Sequence, residues 1–264
     1  MRTRRLLLAL AMVLAFALPA FAHFQLIYTP ESALEKGGEL TLKLVFTHPF
    51  EAGHTMDMAG VEEFYMVNKG KKTDLKNDLK PLIWSSLSNS GSGYEAKVML
   101  RGMGDFIFGL VPAPYFEESE GAWMQQCTKV MVNVAGLPTG WDEPIGLPVE
   151  IVPLDKPYGL WTGNLFRGVV MADDKPVPFA EVEVEFLNHR PDMAKNRFAS
   201  EAEVEAPQDC FITQTIKADA NGTFAYAIPR AGWWGFAALG VKTREYRGAE
   251  LGVDAVIWVQ ARDM

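Results

Sequence analysis

Short runs of alternating or β-branched residues recur along the chain between turn signals, at 40–46, 63–67, 94–100, 105–111 and 128–134. Alternation with a period of two is the mark of a strand with one face inward. No stretch carries the longer 3.6-residue period of an amphipathic helix. Gly occurs 23 times and Pro 16 times, mostly between the strand-like runs. The pattern predicts an all-β chain built as sandwiches.

From 135 to 163 the sequence turns to Pro, Gly and Trp, which predicts an ordered crossover between two domains. The run 149–152, closed by Pro153, reads as an edge strand ending the first domain. A second series of strands is expected at 166–171, 180–186, 213–218, 223–228, 233–239 and 255–259, with Asp219-Ala-Asn-Gly222 making a tight turn. The polar stretch 188–209 reads as a surface loop, with His189 exposed in it. Two β-sandwich domains in tandem are therefore expected, over 23–155 and 156–264.

The first 22 residues read differently. Arg2, Arg4 and Arg5 precede the apolar run 6–18, and Ala20-Phe21-Ala22 follows. This is the pattern of a secretory signal peptide, and its apolar run is shorter than the roughly 20 residues that span a bilayer. A periplasmic protein is expected, with His23 as its first residue after cleavage. Lys and Arg total 25 against 33 Asp and Glu, and three of the arginines lie in the leader. That acidity disfavours nucleic acid as a partner and suits a protein that meets cations. Cys127 and Cys210 are the only cysteines; a disulfide between the halves and two separate thiols are both open.

Three of the four histidines, His23, His48 and His54, fall close together at the start of the mature chain. The last two flank a loop reading His48-Pro-Phe-Glu-Ala-Gly-His54-Thr-Met56-Asp-Met58. Imidazoles suit nickel, cobalt, copper and zinc, and thioethers favour Cu(I). Ligands from one short loop are also cheap to bring together. His23, His48, His54, Met56 and Met58 are the candidate metal ligands, although alternation puts both methionines on one face and allows them to point inward. The acidic run Glu117-Glu118-Ser119-Glu120 reads as a solvated loop. Trp141, Tyr158, Trp161, Trp233 and Trp234 read as a packed joint more than as a sugar-stacking platform. No nucleophile elbow, phosphate loop or His-Glu-x-x-His occurs, so no catalytic role is expected.

Two resemblances add to this reading. Gly168 to Val170, Lys175 to Val184 and Asp219 to Phe224 resemble the recurring motifs of prealbumin-like or carboxypeptidase-regulatory-like domains, which implies a passive sandwich for the second half. The segments Ala22-His-Phe-Gln, Phe46-Thr-His-Pro-Phe-Glu-Ala-Gly, Pro112-Ala-Pro-Tyr-Phe and Pro157-Tyr-Gly-Leu-Trp-Thr-Gly-Asn resemble periplasmic components encoded with ABC-type and energy-coupling-factor cobalt and nickel transporters. That resemblance implies Ni²⁺ or Co²⁺ as cargo, His23 and His48 at the family's positions, and inner-membrane transporter components as partners. A copper protein with an N-terminal histidine site, with Cu²⁺ as its ion, and a carbohydrate- or protein-binding sandwich are the alternatives.

Overall fold

The computed structural model describes residues 23–118 and 121–264, so the signal peptide expected over 1–22 lies outside the described residues. Helix is confined, among those residues, to two three-residue 3₁₀ turns, Lys76–Asp78 and Asp209–Phe211. No helix among them is long and apolar enough to cross a membrane. The strands form sheets of seven, eleven and four.

The main path of the seven-stranded sheet runs Phe24–Tyr28, Gly38–Thr47, Ser90–Leu100, Lys80–Ser85, Arg197–Ala202, His189–Asp192, with Thr55–Met56 paired to Gly38–Thr47 off it. The four-stranded sheet is built on Leu165–Ala172, which pairs with Val149–Pro153, Lys175–Pro176 and Thr223–Ala227. Between them lies the eleven-stranded sheet, whose main path runs Gln214–Lys217, Glu181–Phe186, Gly232–Tyr246, Ala249–Arg262, Ala122–Val134, Gly104–Pro112, Val61–Asn68, Lys71–Asp74. The sheets stack as expected of β-sandwiches, but the two halves of the chain share this middle sheet, and each core takes residues from both. The seam between the two halves of the chain is a parallel pairing of Ala122–Val134 with Ala249–Arg262, from Trp123↔Leu251 to Val130↔Trp258.

Side-chain alternation explains how one sheet serves two cores. Val130, Val132, Val256, Trp258, Trp233 and Phe108 face the first core. Their neighbours Met131, Ile257, Val259, Trp234, Phe236 and Ile107 face the second. Strands buried on both faces read as continuous apolar runs, and Ala255-Val-Ile-Trp-Val259 is such a run. Each fully buried large side chain of this kind contributes about 1.5–3 kcal/mol. Trp233 and Trp234, expected at a packed joint, fill opposite cores.

Three expectations are corrected. The strand Val149–Pro153 does not end the first sandwich; it pairs with Leu165–Ala172 at the edge of the four-stranded sheet. The stretch 188–209 is not simply a surface loop. It contains the hairpin His189–Asp192 and Arg197–Ala202, which crosses to the first sheet at Arg197↔Ser85 and lays Phe198 edge-on against Trp84 at 5.3 Å. His189 is accordingly buried, with Nδ1 2.9 Å from the Ala199 carbonyl. Cys127 is buried and Cys210 exposed, both as free thiols.

Gly235, on Gly232–Tyr246 opposite Trp258 of the seam, lies beneath the first described strand. A Cβ there would lie 2.8 Å from the Trp258 ring and 2.9 Å from the Phe24 ring, and those two rings already pack edge-on. Gly235→Ala is expected to lower stability by about 1–3 kcal/mol, the usual cost of overpacking, read from the urea midpoint. A midpoint unchanged from wild type would show that Phe24 is not seated on this strand.

Candidate functional site

His23 is placed by a single side-chain amide. Gln126, in the seam strand, accepts the Gln25 N–H at 2.7 Å and donates to the His23 carbonyl at 2.7 Å. It acts as a missing strand partner for the edge of Phe24–Tyr28. The strand's other edge pairs with Gly38–Thr47, Phe24 opposite Thr47. The Trp258 indole N–H adds a hydrogen bond to the Gln25 carbonyl at 2.9 Å.

His48 directly follows Thr47, so the same pairing that aligns Phe24 brings His48 beside His23. The chain then turns and returns at Thr55–Met56, which pairs with Phe46 and Thr47. The loop closes through the His48 N–H to the His54 carbonyl at 3.2 Å and the Thr47 hydroxyl to that same carbonyl at 2.9 Å. Glu117 ends the strand Tyr115–Glu117, which lies antiparallel to the start of Ala122–Val134.

These three pieces converge. The His23 and His48 rings are 4.6 Å apart, centroid to centroid. His23 Nε2 lies 3.1 Å from Glu117 Oε2, with only 15% and 11% of the two side chains exposed. Phe46 and Tyr115 flank the His23 ring at 5.7 and 6.4 Å. His54 stands on the solvent side, its ring 6.4 Å from that of His48 and its Nε2 3.5 Å from the Asn89 side-chain nitrogen. Met56 and Met58 pack in the first core, and the Met58 sulfur accepts a hydrogen bond from the Gln25 amide at 3.6 Å. Sequence reasoning passed over Glu117 because an acidic run looks solvated. The clue available was Tyr115-Phe116-Glu117, where alternation places Tyr115 and Glu117 on one face.

Burial sets the protonation of the pair. Desolvation lowers both imidazoles, to about 4 for His48, and the neighbouring imidazoles push the same way while Glu117 opposes. Both rings are therefore neutral at pH 7, the form that ligates a metal. Among the described residues, however, no group of three or more His, Cys, Asp or Glu stands ready-made around an ion position. Binding would require the His23–Glu117 contact to open. A neighbouring cleft, lined by Gln25, Phe46, Met58, Tyr115 and Met124, holds about 10 Å³, room for about one water and far below the few hundred Å³ of an organic-ligand pocket. Buried as they are, Trp233 and Trp234 offer no face for a sugar.

The fold and this cluster define a β-sandwich protein carrying an imidazole–carboxylate site where the seven-stranded sheet meets the shared one. The chain belongs to the family described as Domain of unknown function (DUF4198), whose model matches residues 20–242. That description names no ion, transporter or reaction. No curated protein matches the chain. Solved structures similar to it include the D0-D1 domain of Intimin (12% identity, 90% of this chain and 100% of that one, TM-score 0.22). The Yersinia pseudotuberculosis adhesin InvE (13%, 90% and 58%, 0.26) and the titin Ig tandem A164-A165 (11%, 92% and 98%, 0.20) are others. TM-scores this low carry no argument.

A pH dependence follows from the lowered imidazoles. In the unfolded chain His48 takes up its proton near pH 6.5, and in the folded protein only near 4. The folded state is thus favoured above 6.5, loses stability as pH falls from 6.5 to about 4, and loses no more from this group below that. Urea midpoints measured from pH 7.5 to 3.5 should fall through this window more steeply in wild type than in His48→Gln. Parallel profiles would show that His48 is not desolvated.

Proposed function

We propose that this protein is a periplasmic carrier of a divalent transition ion, nickel or cobalt, which it holds as cargo through His23, His48 and Glu117 and passes to an inner-membrane transporter. The observation that carries the reading is the meeting of two neutral, half-buried imidazoles at 4.6 Å with a carboxylate 3.1 Å from one of them. Imidazole and carboxylate donors suit nickel, cobalt, copper and zinc. The ion enters from the His54 side and takes the place of the His23–Glu117 contact. Cleavage after Ala22 adds the α-amine of His23, which chelates together with its own imidazole. Copper is the competing ion, since the divalent affinity order places it above nickel and cobalt for the same donors. The role is one of carriage, not catalysis.

Isothermal titration of the protein beginning at His23, with Ni²⁺, Co²⁺, Zn²⁺ and Cu²⁺ in turn, tests this. One-to-one nickel or cobalt binding is expected, weakened at least about tenfold, or ~1.4 kcal/mol, by His48→Ala, and weakened also by Glu117→Gln or by one extra residue before His23. Lack of binding to all four ions would sink the reading. Full affinity in His48→Ala would move the site elsewhere.

A further inference from the structure

The loop that carries His48 and His54 is anchored by the far half of the chain. Phe50, within it, packs in the second core. Its N–H donates to Glu185 Oε2 at 3.3 Å, and its carbonyl accepts from the Asn188 side chain at 3.1 Å. The Asn188 backbone N–H adds a bond to the Pro49 carbonyl at 3.3 Å. Glu185 belongs to the strand Glu181–Phe186 and is only 2% exposed; its other oxygen meets the Thr213 hydroxyl. We propose that Glu185 is a positioning residue for the imidazole cluster, its carboxyl holding the Phe50 amide and so setting the shape of the loop that presents His48 and His54. The bearing of this on ion binding rests on the carrier reading above; the anchoring itself does not.

A buried carboxyl invites the question of its charge. The charges acting on Glu185 come from Glu183 on its own strand and Glu51 in the loop, with Asp209 acting in turn on Glu51; all are acidic. Burial, chiefly, and these neighbours push the Glu185 carboxyl up to about 8. A neutral carboxyl keeps the Phe50 N–H on one oxygen and the Thr213 hydroxyl on the other. An ionised one is a buried anion with two acidic neighbours, Glu183 and Glu51. The folded value lies above the ordinary one, so this group's contribution to holding the loop is complete below about 4.5. It declines as pH rises toward 8, and then levels. A ligand set alone behaves oppositely, gaining metal affinity as pH rises and its protons leave.

Hydrogen exchange at the Phe50 amide, corrected for the intrinsic rate and measured without metal from pH 5 to 9, tests the anchor. The opening constant is expected to rise with pH by up to about tenfold per unit, the limit for release of one proton on opening, and to level near 8. In Glu185→Gln, which keeps the acceptor and removes the charge, it should be flat. A flat wild-type profile, or a slope that survives in Glu185→Gln, overturns the proposal, and the wild-type profile alone decides if that variant fails to fold. Nickel titrations of both proteins at pH 6 and 8 then extend the test: the Glu185→Gln to wild-type affinity ratio should grow with pH, and a constant ratio overturns the link to the site. Failure of both proteins to bind any ion would count against the carrier reading and leave the exchange result to judge the anchor.

Discussion

The middle strands of the central sheet are buried on both faces, and its two halves meet where Ala122–Val134 and Ala249–Arg262 run side by side in parallel. Parallel neighbours cannot be joined by a tight turn, so this seam forms only after most of the chain has been laid down. The demand is severe in sequence terms. Every position over 125–134 and 253–259 is buried and must suit one core or the other, and the polar exceptions must be satisfied internally. Lys129 is the clearest of these: fully buried, it places Nζ 2.8 Å from Glu150, which also accepts the Ile145 and Gly146 N–H groups. A buried pair of this kind is weak evidence for net stability, yet removing one partner leaves an uncompensated charge and costs about 3–5 kcal/mol. It therefore fixes the crossover 135–148 against the seam more firmly than packing alone would.

Most strands were legible because alternation and β-branching are local signals. The runs at 40–46, 94–100, 105–111 and 128–134 all fall within observed strands. What was not legible depends on partners distant in the chain. Val149–Pro153 has the look of an edge strand, and is one, but nothing in its own residues says which sheet it borders. The hairpin at 189–202 is polar enough to resemble a loop. Its one strong apolar contact, Phe198 on Trp84, is visible only when both strands are in place. Trp233 and Trp234 announced a buried joint, while the division of two adjacent tryptophans between two cores needed the shared sheet.

The candidate site shows the same boundary between local and distant information. His48 and His54 share one loop, so their nearness could be read directly. His23 joins them because the first strand pairs with Gly38–Thr47 and Gln126 completes its other edge, and a glutamine in the middle of a core strand gives no sign of that task. Glu117 reaches His23 because Tyr115–Glu117 folds back on the same seam strand. The seam thus supplies both the amide that orients one imidazole and the strand that delivers the carboxylate. Met56 and Met58, named as candidate ligands, pack in the first core, the alternative that their common face had left open.

The histidine loop also straddles the two cores. Phe46, before it, and Ala52, within it, belong to the first, while Phe50 belongs to the second. Packed interiors deform little and transmit displacement, so the position of His48 is set jointly by both cores rather than by the first alone. This gives the second half a physical role without any ligand of its own. Through Glu185 and Asn188 it grips the main chain of Phe50 on both its N–H and its carbonyl. Backbone hydrogen bonds of this sort are indifferent to the side chain at position 50, whereas the buried ring depends on it. The loop is consequently held twice, once by shape and once by polarity, and only the second hold involves a group whose charge changes near neutral pH.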